Sequence, residues 1–228
     1  MQNSLTEAEL PEETSQSRRA VTCKFMREPH QIIVSEKYVI ELFNLNYSDN
    51  YGDFKIIYAN LETQSNLIGI KIFENNKEIN SCIIGSEGGS TAIHNNSNLL
   101  SYDGIVFCCG NSIIKLTVPT LKLEWKTISD TMTCFEIFYL ENDYLIHGEL
   151  EITRMDRNGK IVWQNGGKDI FTTPEGKNDF YFTENEIIAM DWNYEKYIFD
   201  YSGNLKSITK SENINLAKKE KNKWKFWK

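Results

Sequence analysis

The sequence predicts an all-β domain, small or irregular and propeller-like, built from about four units of roughly 40 residues. Three observations predict it. A short turn pattern recurs four times, at Phe73–Lys77, Thr117–Leu121, Met155–Gly159 and Phe199–Gly203. The steps between Glu74, Val118, Asp156 and Asp200 are 44, 38 and 44 residues, and a period near forty points to propeller blades. Each turn lies between β-rich runs in which apolar residues alternate one in two, the pattern of a half-buried hairpin.

The turns have a chemical basis. In Asp156-Arg157-Asn158-Gly159 and Asp200-Tyr201-Ser202-Gly203 the leading Asp can accept hydrogen bonds from backbone two residues on. The closing Gly takes the positive φ of a type I turn with a bulge. In Val118-Pro119-Thr120-Leu121, Pro119 pre-sets φ. Glu74-Asn75-Asn76-Lys77 relies on asparagine's tolerance of the left-handed region. Five residues after each turn start stand Ile79, Leu123, Ile161 and Leu205, all apolar. Two before stand Ile72, Leu116, Arg154 and Ile198. Seven after stand Trp125 and Trp163 in the middle units and Ser81 and Ser207 in the outer ones.

Earlier β-runs at Gly104–Cys108, Tyr144–His147 and Glu186–Met190 return through short polar loops at 110–112, 148–149 and 191–194. That gives at least three strands per unit, with room for a fourth. Gln31–Val34, Tyr38–Asn44 and Phe54–Asn60 read as further strands before the first turn.

Met155–Gln164 resembles the repeat signature of quinoprotein-like (PQQ-type) β-propellers: a strand ending in Asp, a turn with Gly, then a short strand ending in Trp. Leu121–Trp125 is a weaker copy, and Phe199–Lys206 lacks the Trp. The resemblance spans about residues 65–208 and implies a fold, not a chemistry. The family's quinoenzymes are exported and have many more blades, so no cofactor is carried over.

At 228 residues the chain reads as one domain at 21–210, with a polar acidic arm at 1–20 and a Lys/Trp-rich tail at 211–228. Four blades are the lower limit for a closed propeller, so an open arrangement is compatible with the count. Residues 1–20 lack the apolar stretch of a signal peptide. The chain has no run of 18 apolar residues. Five cysteines without metal spacing read as reduced thiols in a cytoplasmic protein. The net charge of −7 disfavours DNA or RNA binding by the main domain. Residues 217–228 hold six Lys and one Glu, a net +5 that leaves −12 for the rest. They also carry Trp224, Phe226 and Trp227. Several readings fit this tail: docking on the acidic body, lying on an anionic membrane surface, binding a partner protein or single-stranded nucleic acid, or staying disordered.

No constellation specifies catalysis, and no catalytic, cofactor-binding or metal-binding residue is expected. His30, His94 and His147 are far apart in sequence and outside any metal pattern. His147, ending a strand, reads as structural. Gly85–Thr91 lacks the Lys of a phosphate loop. A calcium loop starting at Asp156 would place Gly167 where its closing acid belongs. Loops 110–112, 148–149 and 191–194 occupy equivalent repeat positions and so share one end. There Asp191, Trp192, Tyr194, Glu195 and Glu149, with Trp224 and Trp227 of the tail, are the candidate partner-binding residues, aromatic anchors beside acids. The reading is a cytoplasmic protein-binding module for a basic protein partner, of the immunity type with which bacteria neutralise toxins. Its rivals are a hydrolase with a pocket at the propeller axis and a membrane-surface protein using the tail.

Overall fold

The period-two patterning becomes seventeen strands in four sheets in the computed structural model, which describes residues 28–177 and 179–210. The expectations for the arm at 1–20 and the tail at 211–228 lie outside the described residues. In the first sheet, β1 (Gln31–Val34), β2 (Val39–Leu45), β3 (Ile56–Tyr58), β4 (Asn66–Glu74) and β5 (Lys77–Ser86) run in the order β1-β2-β4-β5-β3. Here β3 lies parallel to β5. The other sheets are four-stranded antiparallel meanders. They comprise β6 (Asn98–Leu100), β7 (Ile105–Cys109), β8 (Ser112–Leu116) and β9 (Leu123–Ile128); then β10 (Cys134–Leu140), β11 (Asp143–Gly148), β12 (Glu151–Met155) and β13 (Ile161–Gly166); then β14 (Phe180–Phe182), β15 (Ile187–Met190), β16 (Glu195–Phe199) and β17 (Leu205–Lys210).

The repeated turns close the hairpins β4–β5, β8–β9, β12–β13 and β16–β17. Asp156 Oδ1 accepts from the N–H of Asn158 and of Lys160, at 2.8 and 2.9 Å. Asp200 Oδ1 accepts from the Asn204 N–H at 2.9 Å. Gly159 and Gly203 sit at φ 80° and 84°.

The ladders correct the sequence alignment in the first two units. Trp125 pairs with Lys115 and Trp163 with Arg154, while Asn80 pairs with Ile72 and Ser207 with Ile198. Asn80, not Ser81, is therefore the counterpart of the tryptophans. Likewise Glu78, opposite Phe73, takes the place held by Leu123, Ile161 and Leu205. The cause is turn length. Asn75 and Asn76, both at positive φ, form a tighter turn inside the Glu74–Lys77 pair. In the second unit the longer loop makes Lys115, rather than Leu116, the counterpart of Arg154.

Three clusters join the sheets in a row. Ile40, Leu42, Ile70 and Ile72 meet Ile105, Phe107, Ile114 and Leu116. Val106, Cys108 and Ile113 meet Ile137, Tyr144, Ile146 and Met155. Leu145 and Ile152 meet Ile187, Ala189, Tyr197 and Phe199. No cluster among the described residues joins the fourth sheet to the first. The far side of the first sheet is covered by the chain between β2 and β4: Tyr51, Phe54, Ala59 and Leu61 pack on Phe43, Leu45, Leu67 and Ile83. Two glycines seat this cover. A Cβ on Gly69 would lie 2.5 Å from the Phe54 ring, and one on Gly85 would lie 2.6 Å from the Ala59 Cβ.

A latch recurs between sheets. Trp125 Nε1 donates to the Arg157 carbonyl at 3.1 Å, and Thr127 Oγ1 to the Gly159 carbonyl at 2.7 Å. One unit on, Trp163 Nε1 donates to the Tyr201 carbonyl at 2.9 Å, and Asn165 Nδ2 to the Gly203 carbonyl at 2.8 Å. Each indole lies on the glycine of the next turn, where an added Cβ would sit 2.6 Å from the ring. Between the first two sheets, Asn80 Nδ2 donates to two carbonyls of the next turn, those of Pro119 and Thr120, at 3.4 and 2.5 Å. That turn ends in Leu121 rather than glycine, and among the described residues an amide, not an indole, donates to it. A tryptophan in one unit thus goes with a glycine in the next. Ser207 lies in the last described unit, and no further turn follows it among the described residues.

The third and fourth sheets also meet at His147, which is 2 % exposed. Its Nε2 lies 2.7 Å from the Phe171 carbonyl and its Nδ1 lies 3.0 Å from Glu136 Oε2, and the ring stacks on Phe180 at 4.5 Å. The expectation of a hydrogen-bonded structural histidine matches this setting. Burial by itself raises the Glu136 carboxyl, but hydrogen bonds from His147 and Asn96 bring it below the ordinary 4.5. A depressed carboxylate contributes stability that is present above its unfolded pKa and lost as pH falls through the folded one. The wild type is therefore expected to lose stability below about pH 4.5, and Glu136→Gln to lose less over the same interval. Urea titrations at pH 6 and pH 3.5 check this, and equal losses in both proteins would contradict it.

Candidate partner-binding rim

The connections at the end opposite the repeated turns form a welded rim. The Asn111 N–H donates to the Glu87 carbonyl at 2.9 Å. Those of Ser129 and Asp130 donate to the Asn111 carbonyl at 3.0 and 3.2 Å. The chain of bonds continues from Glu149 N–H to Thr133 O at 2.7 Å, Phe171 N–H to Glu149 O at 2.6 Å, and Trp192 N–H to Ile170 O at 2.9 Å. Successive units are thus tied together through their loops, so the rim is built before any partner arrives.

Two buried aspartates shape it. Asp130, 2 % exposed, accepts from the N–H groups of Met132 and Thr133 through Oδ1, at 2.6 and 3.2 Å. Its Oδ2 accepts from those of Leu150 and Glu151, both at 2.9 Å. Asp191, 1 % exposed, accepts from the N–H groups of Asn193 and Glu195, both at 2.9 Å, and from the Tyr197 hydroxyl at 3.0 Å. Burial first of all, with Asp191 and Glu195 adding to it, pushes the Tyr197 phenol up to about 12.

The predicted residues are divided by this geometry. Asp191 points inward and folds its loop rather than presenting a carboxylate. Trp192 is 45 % exposed. Tyr194, at φ 60°, directs its hydroxyl to the Glu175 carboxylate at 2.7 Å. Glu195 pairs with Lys168 at 2.8 Å. Glu149 accepts from Thr133 Oγ1 at 2.7 Å and lies across segment 167–171 from Trp192. These residues share one end, as the repeat alignment predicts. Trp224 and Trp227 lie outside the described residues.

Sequence reasoning misses Asp130, Met132 and the acidity of the whole rim. The connections 46–53, 59–65, 87–97, 110–111, 129–133, 149–150, 167–179 and 191–194 hold ten acids against two lysines. Met132, 45 % exposed, and Tyr47, 65 % exposed, join Trp192 as apolar groups on this end. The signal is present in the sequence as acid count per connection, but it emerges only when strand ends are known.

A cavity of about 170 Å³ opens between the first two sheets, lined by Asn44, Asn46, Asn66, Ser90 and Thr91 over Leu67 and Cys109. Its one titratable group is the Cys109 thiol, which burial pushes up to about 12. No acid or histidine enters it. Among the described residues no group of three or more His, Cys, Asp or Glu could hold a metal ion. No helix among them is long and apolar enough to cross a membrane.

No protein-family model matches the chain, and no curated protein matches it. Several solved structures are similar to the chain at low identity. The AfRom2 CNH domain is 12% identical over 87% of this chain, with a TM-score of 0.48. BamB from Moraxella catarrhalis is 13% identical over 79%, with a TM-score of 0.47. The WD40 domain of Neurospora crassa Pan2 is 10% identical over 49%, with a TM-score of 0.39. This chain spans 61% of the CNH-domain chain, 48% of the BamB chain and 36% of the Pan2 chain. At such identities and scores the likeness carries no argument about chemistry or partner.

Proposed function

We propose that the chain is a protein-binding module whose acidic rim receives a basic partner around Trp192. The observation that carries this is the charge of the rim, ten acids against two lysines, with exposed Trp192 and Met132 set among them. Aromatic and methionine side chains are the usual anchors of interface cores, and a one-sign rim steers oppositely charged proteins and speeds their encounter. The finer reading is an immunity-type protein that neutralises a basic toxin by covering it. It works in the cytoplasm, where the buried thiols of Cys82, Cys108, Cys109 and Cys134 stay reduced.

Affinity capture from the native host tests this with wild type and Trp192→Ala side by side. The wild type should retain one stoichiometric basic protein, and Trp192→Ala should retain at least tenfold less, a loss of about 1.4 kcal/mol. Raising salt from 0.05 to 0.5 M should release the partner. Equal capture by both proteins, or capture indifferent to salt, contradicts the rim as the binding face.

A further inference from the structure

We infer that the cavity between the first two sheets is a receptor for an arginine side chain of a partner protein. Its lining follows from the strand pattern. Ile40 and Leu42 of β2, with Ile72, Ile70 and Ile68 of β4, point into the core shared with the second sheet. Asn44 is next in the β2 row and pairs with Ile68, and Asn66 is next in the β4 row. Carboxamides thus replace aliphatic side chains where the sheets reach the rim, and the cavity opens there over Leu67, Ile68 and Cys109. Its wall is held by its own hydrogen bonds. Asn66 Nδ2 donates to the Gly88 carbonyl at 3.2 Å, and its Oδ1 accepts from the Thr91 N–H at 3.1 Å. Thr91 Oγ1 donates to the Cys134 carbonyl at 3.0 Å. The Asn46 N–H donates to Asp49 Oδ2 at 2.6 Å, and the Asn46 carbonyl accepts from the Tyr51 hydroxyl at 2.9 Å. Four further lining side chains, those of Asn44, Asn46, Ser65 and Ser90, make no hydrogen bond among the described residues.

Three properties select the occupant. At about 170 Å³ the cavity falls below the roughly 300–1,000 Å³ of sites for drug-sized molecules, so it suits one side chain. Its mouth is acidic: connections 46–53, 59–65 and 87–97 hold Asp49, Asp53, Glu62 and Glu87 and no lysine or arginine. Its lining, by contrast, is neutral, with amides, hydroxyls and an apolar floor and no carboxylate. An acidic mouth attracts a cation, and a neutral lining chooses between the two cationic side chains. An ammonium is compact and strongly hydrated, so a site without a carboxylate repays little of its desolvation. A guanidinium is more weakly hydrated and spreads its charge over five N–H donors. The side-chain oxygens of Asn44, Asn46, Ser65 and Ser90 can accept from such a fork, while Leu67, Ile68 and Ala92 lie along the methylene stem. The inference deepens the rim reading and rests on it for the basic partner.

Nuclear magnetic resonance titration of the full chain tests it with three probes: Nα-acetyl-arginine-N-methylamide and its lysine and citrulline counterparts. The arginine probe should shift the carboxamide signals of Asn44 and Asn46 and the backbone amides of Ser90 and Thr91, and the shifts should saturate. Its affinity should exceed that of either other probe at least fivefold. Ser90→Lys, which puts a cation at the exposed edge of the cavity, should weaken the arginine probe at least tenfold. Ser202→Lys makes the same charge change at the end bearing the repeated turns and should leave it within twofold. Retained signals of Ile105 to Cys109 in β7 show that each variant is folded. Equal affinity for the lysine probe overturns the inference, because the acidic surface alone would then account for binding. Equal affinity for the citrulline probe overturns it too, because the cavity would then read a neutral amide. So do shifts that never saturate, or that fall outside the cavity. Partner capture at the rim can fail while the probe still binds here, which removes the partner and leaves the site. Capture by a rim whose cavity ignores the probe does the reverse, so the two readings fail separately.

Discussion

Gly203→Val is expected to destabilise the chain by about 3 kcal/mol or more, among the largest effects of any single substitution. Two costs combine. Gly203 sits at φ 84°, a conformation that is a true outlier for a β-branched residue. Its missing Cβ also leaves the space in which the Trp163 indole lies, 2.6 Å from where that atom would be. The neighbour is a ring held by its own hydrogen bond to the Tyr201 carbonyl, so it cannot yield cheaply as a flexible side chain would. Gly159→Val should behave alike against Trp125, at φ 80° and the same 2.6 Å approach. Trp163→Phe, which keeps a ring and removes the donor, should cost only about 1 kcal/mol from the lost hydrogen bond. Urea unfolding monitored by circular dichroism measures all three. A Gly203→Val protein within 0.5 kcal/mol of wild type would mean that the latch does not hold the sheets together.

Asp130→Ala is the second large loss, expected at about 3 kcal/mol, because it strands four backbone donors in a buried site. The carboxylate ties Met132 and Thr133 to Leu150 and Glu151, so the link between the second and third units at the rim should open with it. Asp130→Asn keeps the volume but turns one acceptor into a donor facing N–H groups, and should recover less than half of the loss. Hydrogen exchange distinguishes this from general weakening. The amides of Leu150 and Glu151 should exchange as fast as those of an open loop, while Ile105 to Cys109 in β7 remain protected. Uniform acceleration over all strands would assign Asp130 to the core rather than to the rim.

Much of the fold is legible in the sequence because its repeat is punctuated by residues with one physical meaning. Asp at the start of a turn and Gly at its end fix the hairpins at 156–159 and 200–203, and alternation fixes the faces of their strands. The expected strands at Gln31–Val34, Tyr144–His147 and Glu186–Met190 recur within a residue or two. Legibility fails where turn length changes. Two consecutive asparagines make the first turn tight, and that moves the tryptophan-equivalent from Ser81 to Asn80, a polar residue performing the same donation with an amide. It fails again between β2 and β4, where Phe54–Asn60 reads as one more blade strand. Only Ile56–Tyr58 pairs, and it does so parallel to β5. A parallel edge strand leaves no local signal, since its partner lies more than twenty residues away. At the rim, Trp192 and Glu195 are recoverable from their loop, but the burial of Asp191 is not. Its Asx geometry and the phenol of Tyr197 turn a residue that looks like a surface acid into an internal one.

The proposed binding face is the acidic loop rim, and not the end bearing the repeated turns. Moving charge at one end and then at the other tests it most directly. Glu62→Lys/Glu87→Lys changes two exposed rim acids, and Glu36→Lys/Glu184→Lys changes two exposed acids at the turn end. Both alter the net charge by the same four units, so global electrostatics are matched. Association rates with the captured partner, measured at low salt, should fall at least tenfold for the rim pair and less than threefold for the turn-end pair. Equal slowing by the two pairs, or the larger effect at the turn end, contradicts the assignment of the rim as the functional face.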